Sequence, residues 1–424
     1  MKDKFSKNIF IKNVAILMSG TGLAQLITIA VTPILTRIYT PEAFGVFSIY
    51  TTIVATLAVV TTFRYEMSIA LPQKRTESIN ILFFTLAIAF VFSFFYILIS
   101  LIFRDGIATL LNLGDLSDWL WLIPISALLM GIYNIFNYWS IRNREFKRLS
   151  YSRVTQSGGT VTAQIVLGLI NLGQIGLLFG QIFGYTIGTF TLIKQVLRKD
   201  KRNLLRSISF KIWMKLIFKY KDFALYSSPQ ALLNASSKTI PPLVLGIYFN
   251  PATVGYYALG VKLIQMPIAL VGDSFNQVFF GRLATLKNEN KLVSNQMLKM
   301  TAFLASIAFI PSLLIFLFSP TLFEFFLGEG WGNAGLFSRY LIIWLFFSFI
   351  NRGAVVSIQV MGMQRGFLIY EVLLFSIRLI GLVISVNILN AVDSILIYSL
   401  IGALFNMILI IIVYINLKIR ENKL

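Results

Sequence analysis

Long apolar runs, separated by short polar segments, recur from one end of this chain to the other. A helix needs about 20 mostly apolar residues to cross the hydrocarbon core of a bilayer. Runs of that kind occupy residues 14–36, 43–63, 79–103, 119–140, 152–171, 174–197, 223–249, 252–280, 296–319, 335–361, 366–389 and 392–416. They are continuous rather than alternating, so they predict helices and not the strands of a barrel. The gaps near residues 172, 250 and 390 are short enough to be tight turns. The pattern predicts an all-α polytopic membrane protein with twelve transmembrane helices. The charged start MKDKFSKNIFIK runs into the first apolar stretch with no small-residue cleavage site, as an uncleaved first helix does.

Composition agrees with this and removes most catalytic chemistry. Of 424 residues, 57% are apolar and 13% charged, whereas soluble domains hold about 25% charged residues. That is too little charge to cover several water-facing domains. There is no Cys and no His, which excludes disulfides, thiolate or imidazole metal sites, and His-based triads. No catalytic residue, metal site or cofactor is expected, and the chain does not read as an enzyme.

The excess of 37 Lys+Arg over 17 Asp+Glu gives a net +20, which on a soluble chain would suggest nucleic acid. Its location argues otherwise. The segments 1–13, 64–78, 141–153, 194–222, 281–300, 361–366 and 417–424 hold 30 basic and 8 acidic residues. The alternate segments hold Arg37, Arg104 and Arg339 against seven acids. Lys/Arg-rich loops stay in the cytoplasm, so both termini are expected there, and nucleic acid is not expected as a partner.

Two short echoes point to an internal repeat. Pro41-Glu-Ala-Phe-Gly45-Val-Phe47 is similar to Pro251-Ala-Thr-Val-Gly255-Tyr-Tyr257, and Arg144-Glu-Phe146 to Arg365-Gly-Phe367, each pair at matching places in two six-span halves. With six spans per half, both halves enter from the same side and the repeat is parallel. The expected organisation is a six-helix bundle over 1–197, a linker over 198–222 and a second six-helix bundle over 223–424. In the linker, Lys211, Lys215 and Lys219 recur every four residues beside Ile212, Leu216 and Tyr220, the pattern of a basic helix lying on an anionic membrane surface.

Four cations remain inside spans, Lys238, Lys262, Arg352 and Arg378, with two acids, Asp273 and Glu371. A charge at mid-bilayer costs at least a few kcal/mol unless it faces protein or water. The surplus predicts a cationic cavity in which these residues contact an anionic substrate. The competing reading is structural pairing, Glu371 with Arg378 two turns apart and Asp273 with Lys262. Phe63-Arg64-Tyr65-Glu66, at the end of span two, reads either as snorkelling side chains or as a gate or headgroup contact through Arg64 and Glu66. Asp273, Glu371 and Glu66 are the coupling-ion candidates. Uncharged polar residues such as Gln25, Asn137 and Gln164 read as interhelical hydrogen bonds, and Gly158-Gly159, Gly184 and Gly188 as sites of close helix packing.

The stretch Leu35-Thr-Arg37-Ile-Tyr39-Thr-Pro41-Glu-Ala-Phe44-Gly45-Val-Phe47-Ser-Ile-Tyr50, followed by Phe63-Arg64-Tyr65-Glu66 and Ile69-Ala-Leu71-Pro72, resembles the N-terminal signature of the polysaccharide-biosynthesis flippases. These are the O-antigen and capsule repeat-unit translocases of the multidrug/oligosaccharidyl-lipid/polysaccharide exporter superfamily. Arg142-Asn-Arg144-Glu-Phe146-Lys147 resembles their basic segment after span four. The resemblance implies two six-helix bundles around a V-shaped alternating-access cavity, in a bacterial inner membrane. It implies a polyprenyl-pyrophosphate-linked oligosaccharide as cargo, and membrane lipids, a polysaccharide polymerase and chain-length machinery as partners.

Two other functions compete. A multidrug-type cation exporter of the same superfamily would want exposed acids in its cavity, against the four-to-two excess of buried cations. A membrane glycosyltransferase, polymerase or ligase would want catalytic carboxylates or a large external loop, and the longest external loops, 104–118 and 320–334, are short.

Overall fold

A backbone in lipid must satisfy its own hydrogen bonds, and the apolar runs do so as helices in the computed structural model, which describes residues 2–110, 114–206, 208–288 and 292–422. In chain order these are α1 (Lys2–Ile38), α2 (Pro41–Thr61), α3 (Arg75–Ile102), the short α4 (Arg104–Leu110), α5 (Leu122–Arg142), α6 (Phe146–Leu169), α7 (Gly173–Arg206), the linker helix α8 (Phe210–Lys219) and α9 (Ser228–Tyr248). There follow α10 (Pro251–Asn288), α11 (Val293–Leu327), α12 (Gly332–Ile350), α13 (Arg352–Met361), α14 (Gln364–Val386) and α15 (Ala391–Glu421). Each apolar run corresponds to one long helix, except that the tenth breaks at Asn351 into α12 and α13. Among the described residues nine stretches are long and apolar enough to cross a membrane, so the chain is a multi-pass membrane protein. The more polar long helices are α6, which carries Lys147, Arg148 and Arg153, and α9 and α10, which carry Lys238, Lys262 and Asp273.

The predicted turns are built by side chains. Thr40 caps α2 by accepting from the Ala43 N–H at 3.4 Å, ahead of Pro41. Asn250 accepts from the Thr253 N–H at 2.9 Å ahead of Pro251, so both prolines of the first echo open a helix behind a capping side chain. The second echo is less equivalent: Arg144 lies in the turn before α6 with φ +58°, while Arg365 lies inside α14. The turn near 172 uses Asn171 in the left-handed region. Asn390 caps α15 through the Asp393 N–H at 2.9 Å.

The chain divides into two compact units, Met1–Ile247 and Tyr248–Leu424. The boundary lies one helix beyond the basic linker. In unit 1, α7 packs along α6 through glycines one turn apart. A Cβ on Gly184 would sit 2.8 Å from Thr160 Cβ, and one on Gly188 2.8 Å from Gln156 Cβ. Gly180 meets the Gln164 main chain in the same way. Gly159 meets Ile187, but a Cβ on Gly158 would touch nothing within 4 Å, so of the predicted packing glycines Gly158 takes no part. The core of this unit joins α3, α5 and α7 around Trp139, Phe84 and Leu192.

Because α7 runs on to Arg206, into the expected linker, the linker helix α8 begins only at Phe210. Leu216 is buried, and Ile212, Trp213 and Ile217 pack on the unit 1 core. Trp213 Nε1 donates to Asn80 Oδ1 at 3.1 Å and Lys219 pairs with Glu77 at 3.1 Å, which fixes α8 to the first turns of α3. Phe210, Met214 and Phe218 stay exposed one turn apart.

In unit 2, α11, α13 and α15 pack around Met297, Val356 and Leu409. Glu421 of α15 caps the start of α11, accepting from the Ser294 N–H at 2.8 Å. Asn351, at the break between α12 and α13, donates from its side-chain amide to Asn406 of α15.

Candidate functional site

The described intramembrane charges fall in unit 2, and Arg378 of α14 is the most enclosed. It is 8% exposed. Its guanidinium lies between two aromatic faces, with Cζ 4.0 Å from the Trp344 ring centroid and 3.6 Å from that of Tyr398. Nε donates to the Tyr398 carbonyl at 3.2 Å. Nη2 is buried without a hydrogen-bond partner. Gly402 makes room for the stack, since a Cβ there would sit 2.7 Å from Trp344 Cδ1 and 3.1 Å from Arg378 Cζ. Stacking stabilises a buried cation while leaving it charged, so the donors in the guanidinium plane stay available.

Glu371 is exposed, two turns before Arg378 on α14. It lies in electrostatic reach of the guanidinium, but among the described residues the two make no ion pair. Arg352 opens α13. Its guanidinium lies against Gly272 of α10, where a side chain would overlap it, with Cζ 5.9 Å from the Phe349 ring. Lys262 is half-buried on α10. The side chains of Lys238 and Asp273 lie outside the described residues.

In unit 1 the chain turns at the end of α2 through two consecutive left-handed residues, Phe63 (φ +47°) and Arg64 (φ +60°), into a short 3-10 turn, Tyr65–Ala70. Left-handed backbone is costly for residues with a Cβ and clusters at functional sites. The turn directs Glu66 inward, where it is 1% exposed and thus not snorkelling. Arg64 Nη1 lies 3.6 Å from Glu66 Oε1, while Glu66 Oε2 and the neighbouring Thr62 Oγ1 are buried without hydrogen-bond partners. Burial raises the Glu66 carboxyl above the ordinary carboxylate range, opposed by Arg64.

Charge beside or inside apolar runs marks Arg378, Arg64 and Glu66 in the sequence; Trp344, Tyr398, Gly402 and the Asn351–Asn406 pair come only from the structure, although asparagines inside apolar runs are a readable signal for the last. Gln164 is structural: its Nε2 donates to the Leu177 carbonyl at 3.2 Å, and its own carbonyl accepts from the Tyr39 hydroxyl at 2.7 Å.

Residues 34–335 match the model of a family described as polysaccharide biosynthesis protein. None of the curated protein sequences matches the chain. Among solved structures, the chain is similar to an inward-facing multidrug resistance MATE family transporter of the MOP superfamily, with a TM-score of 0.63 at 14% identity over 97% of this chain and 98% of that one. Lipid II flippase MurJ in an inward closed conformation gives 0.65 at 12% identity, over 97% and 90% of the two chains. A MOP superfamily transporter from Pyrococcus furiosus, described as having a binding pocket of reverse polarity that suggests a different function, gives 0.61 at 14% identity over 97% and 96%. At these identities the likeness is one of fold: the chain has the all-helical fold that these transporters share.

Proposed function

The chain belongs to the polysaccharide biosynthesis protein family, and from that premise we propose that it is a flippase for polyprenyl-pyrophosphate-linked oligosaccharide repeat units. It moves them from the cytoplasmic to the outer leaflet of a bacterial inner membrane, by alternating access, for O-antigen or capsule assembly. Its termini are cytoplasmic, where the basic segments hold them. The halves that move are the six-span sets 1–197 and 223–424 joined by the linker 198–222, a division supported by the equivalent helix starts at Pro41 and Pro251.

The observation that carries this reading is Arg378, a buried guanidinium stacked between Trp344 and Tyr398 with Nη2 unpartnered. A pyrophosphate leaving water needs fixed cations, and a guanidinium offers charge-assisted hydrogen bonds to its oxygens. Lys262 and Arg352 supply further positive charge in the same unit as Arg378, and Lys238 and Arg64 are further candidates for contact with the anionic cargo. Moving negative charge outward across an inside-negative membrane gains about 2.3 kcal/mol per charge per 100 mV. Cation counterflow through Glu66, Asp273 or Glu371 adds to this, Glu66 being the buried carboxylate of the three whose surroundings are described. The acceptors of the flipped unit are a polymerase and its chain-length partners.

The likeness to a multidrug resistance transporter keeps a cation-exporting role as the second reading. The excess of buried cations disfavours it. Deletion of the protein is expected to trap completed lipid-linked units on the cytoplasmic face, and the Lys238→Ala, Arg378→Ala double variant to reproduce the trapping while still inserting. Normal glycan export in that variant would remove the cavity assignment. Loss of glycan before the lipid-linked unit forms would favour an enzyme instead.

A further inference from the structure

At the basic end of unit 1, a cavity of about 630 Å³ opens between the start of α6 and the end of α7. Lys147 and Arg148 of α6 and Arg198 and Lys199 of α7 line it, with Tyr151 and one carboxylate, Glu145. Glu145 is engaged by Lys199 in an ion pair. Lys147, Arg148 and Arg198 have no acidic partner among the described residues. Cations gathered around one concavity repel each other and raise the local concentration of anions.

Two observations make this more than a basic surface. Arg148, one of the lining residues, is 6% exposed, and its Nη1 is a buried donor without a hydrogen-bond partner. Such a donor is costly to leave unmade. The start of α6 also breaks the usual charge rule. Glu145 stands at its N-cap position without capping it, and the first turn holds Lys147 and Arg148 and no acid. The positive end of a 24-residue helix then adds to two cations, and the neighbouring carboxylate, Glu145, is taken up by Lys199. A bound anion would meet the side-chain cations and the positive end of the helix together.

We infer that this cavity is a binding site for a phosphate-bearing anion, either free or carried on a lipid headgroup. The mixture of guanidinium forks and lysine point charges suits a group with several oxygens and at least two negative charges. Tyr151, exposed at the rim, adds a hydroxyl donor and an aromatic face. The site is separate from the intramembrane cations and does not depend on their role in transport.

The test uses the full-length chain, titrated with inorganic pyrophosphate in detergent, and in nanodiscs of neutral lipid doped either with a polyprenyl diphosphate or with phosphatidylglycerol. Lys147→Gln with Arg198→Gln alters exposed side chains and is expected to weaken binding by at least about tenfold, the loss of one charge-assisted hydrogen bond or more. Arg148→Gln is expected to weaken it further, with thermal unfolding showing whether that variant folds. Binding of pyrophosphate in detergent identifies a free-anion site, and binding confined to doped nanodiscs a headgroup site; either result, lost in the double variant, supports the assignment. Wild-type protein that binds none of the three probes, or a double variant that binds as the wild type does, overturns it.

Discussion

Between the faces of Trp344 and Tyr398, the Arg378 guanidinium keeps its charge although almost no solvent reaches it. Lysine is a point charge without a plane to stack, so Arg378→Lys is not conservative here. It is expected to lower thermal stability by roughly 1–2 kcal/mol through lost cation–π contact, and to slow transport about tenfold for each charge-assisted hydrogen bond to substrate that is lost. Unfolding of purified protein and accumulation of lipid-linked units measure the two effects. Glu66 yields a prediction about pH. Burial raises its folded-state pKa above the ordinary value, so between those two values the folded protein binds more protons than the unfolded chain. Stability there falls as pH rises, and levels off above the raised value. Glu66→Gln removes that slope, and melting temperature followed against pH, wild type beside variant, reads it. The charges of Arg378 and Glu66 were legible because charge inside or beside an apolar run is conspicuous. The aromatic cage was not: the chain has 38 Phe, 17 Tyr and 6 Trp, and no local spacing marks which of them meet across helices.

At the scale of elements, the apolar runs mark where the long helices lie, since the bilayer leaves so little choice of structure, but α1, α10 and α11 run well beyond their apolar stretches, to Lys2, Asn288 and Leu327. Two features escaped. The break at Asn351 depends on a side-chain amide bond to Asn406 of another helix, which no run length encodes. The extension of α7 to Arg206 carries polar residues beyond the apolar core, where helical hydrogen bonding continues without an apolar signal. The α6–α7 contact divides the glycines that sequence alone treats alike. Gly184→Val drives new methyl groups into Thr160 and is expected to cost about 1–3 kcal/mol by overpacking, read as reduced folded yield and melting temperature. Gly158→Ala meets open space and is expected to be neutral or to stabilise by up to ~1 kcal/mol through helix propensity. Equal effects of the two changes would contradict this packing.

For the molecule as a whole, the distribution of charge carries more than its total. The 37 cations behind the net +20 divide into 30 on one set of connecting segments, 3 on the other and 4 within spans. Topology reporters fused at either terminus are therefore expected on the cytoplasmic side, and a tag within 104–118 on the outer side. The proposed substrate class rests on the family and on the small number of intramembrane cations. The most direct test of the central claim is translocation of a polyprenyl-pyrophosphate oligosaccharide across proteoliposomes containing the purified protein, wild type against Arg378→Gln. The wild type is expected to move the lipid-linked unit between leaflets, and Arg378→Gln, equally folded and inserted, to move it at least about tenfold more slowly. Equal rates for the two proteins, or no movement by the wild type, would contradict it.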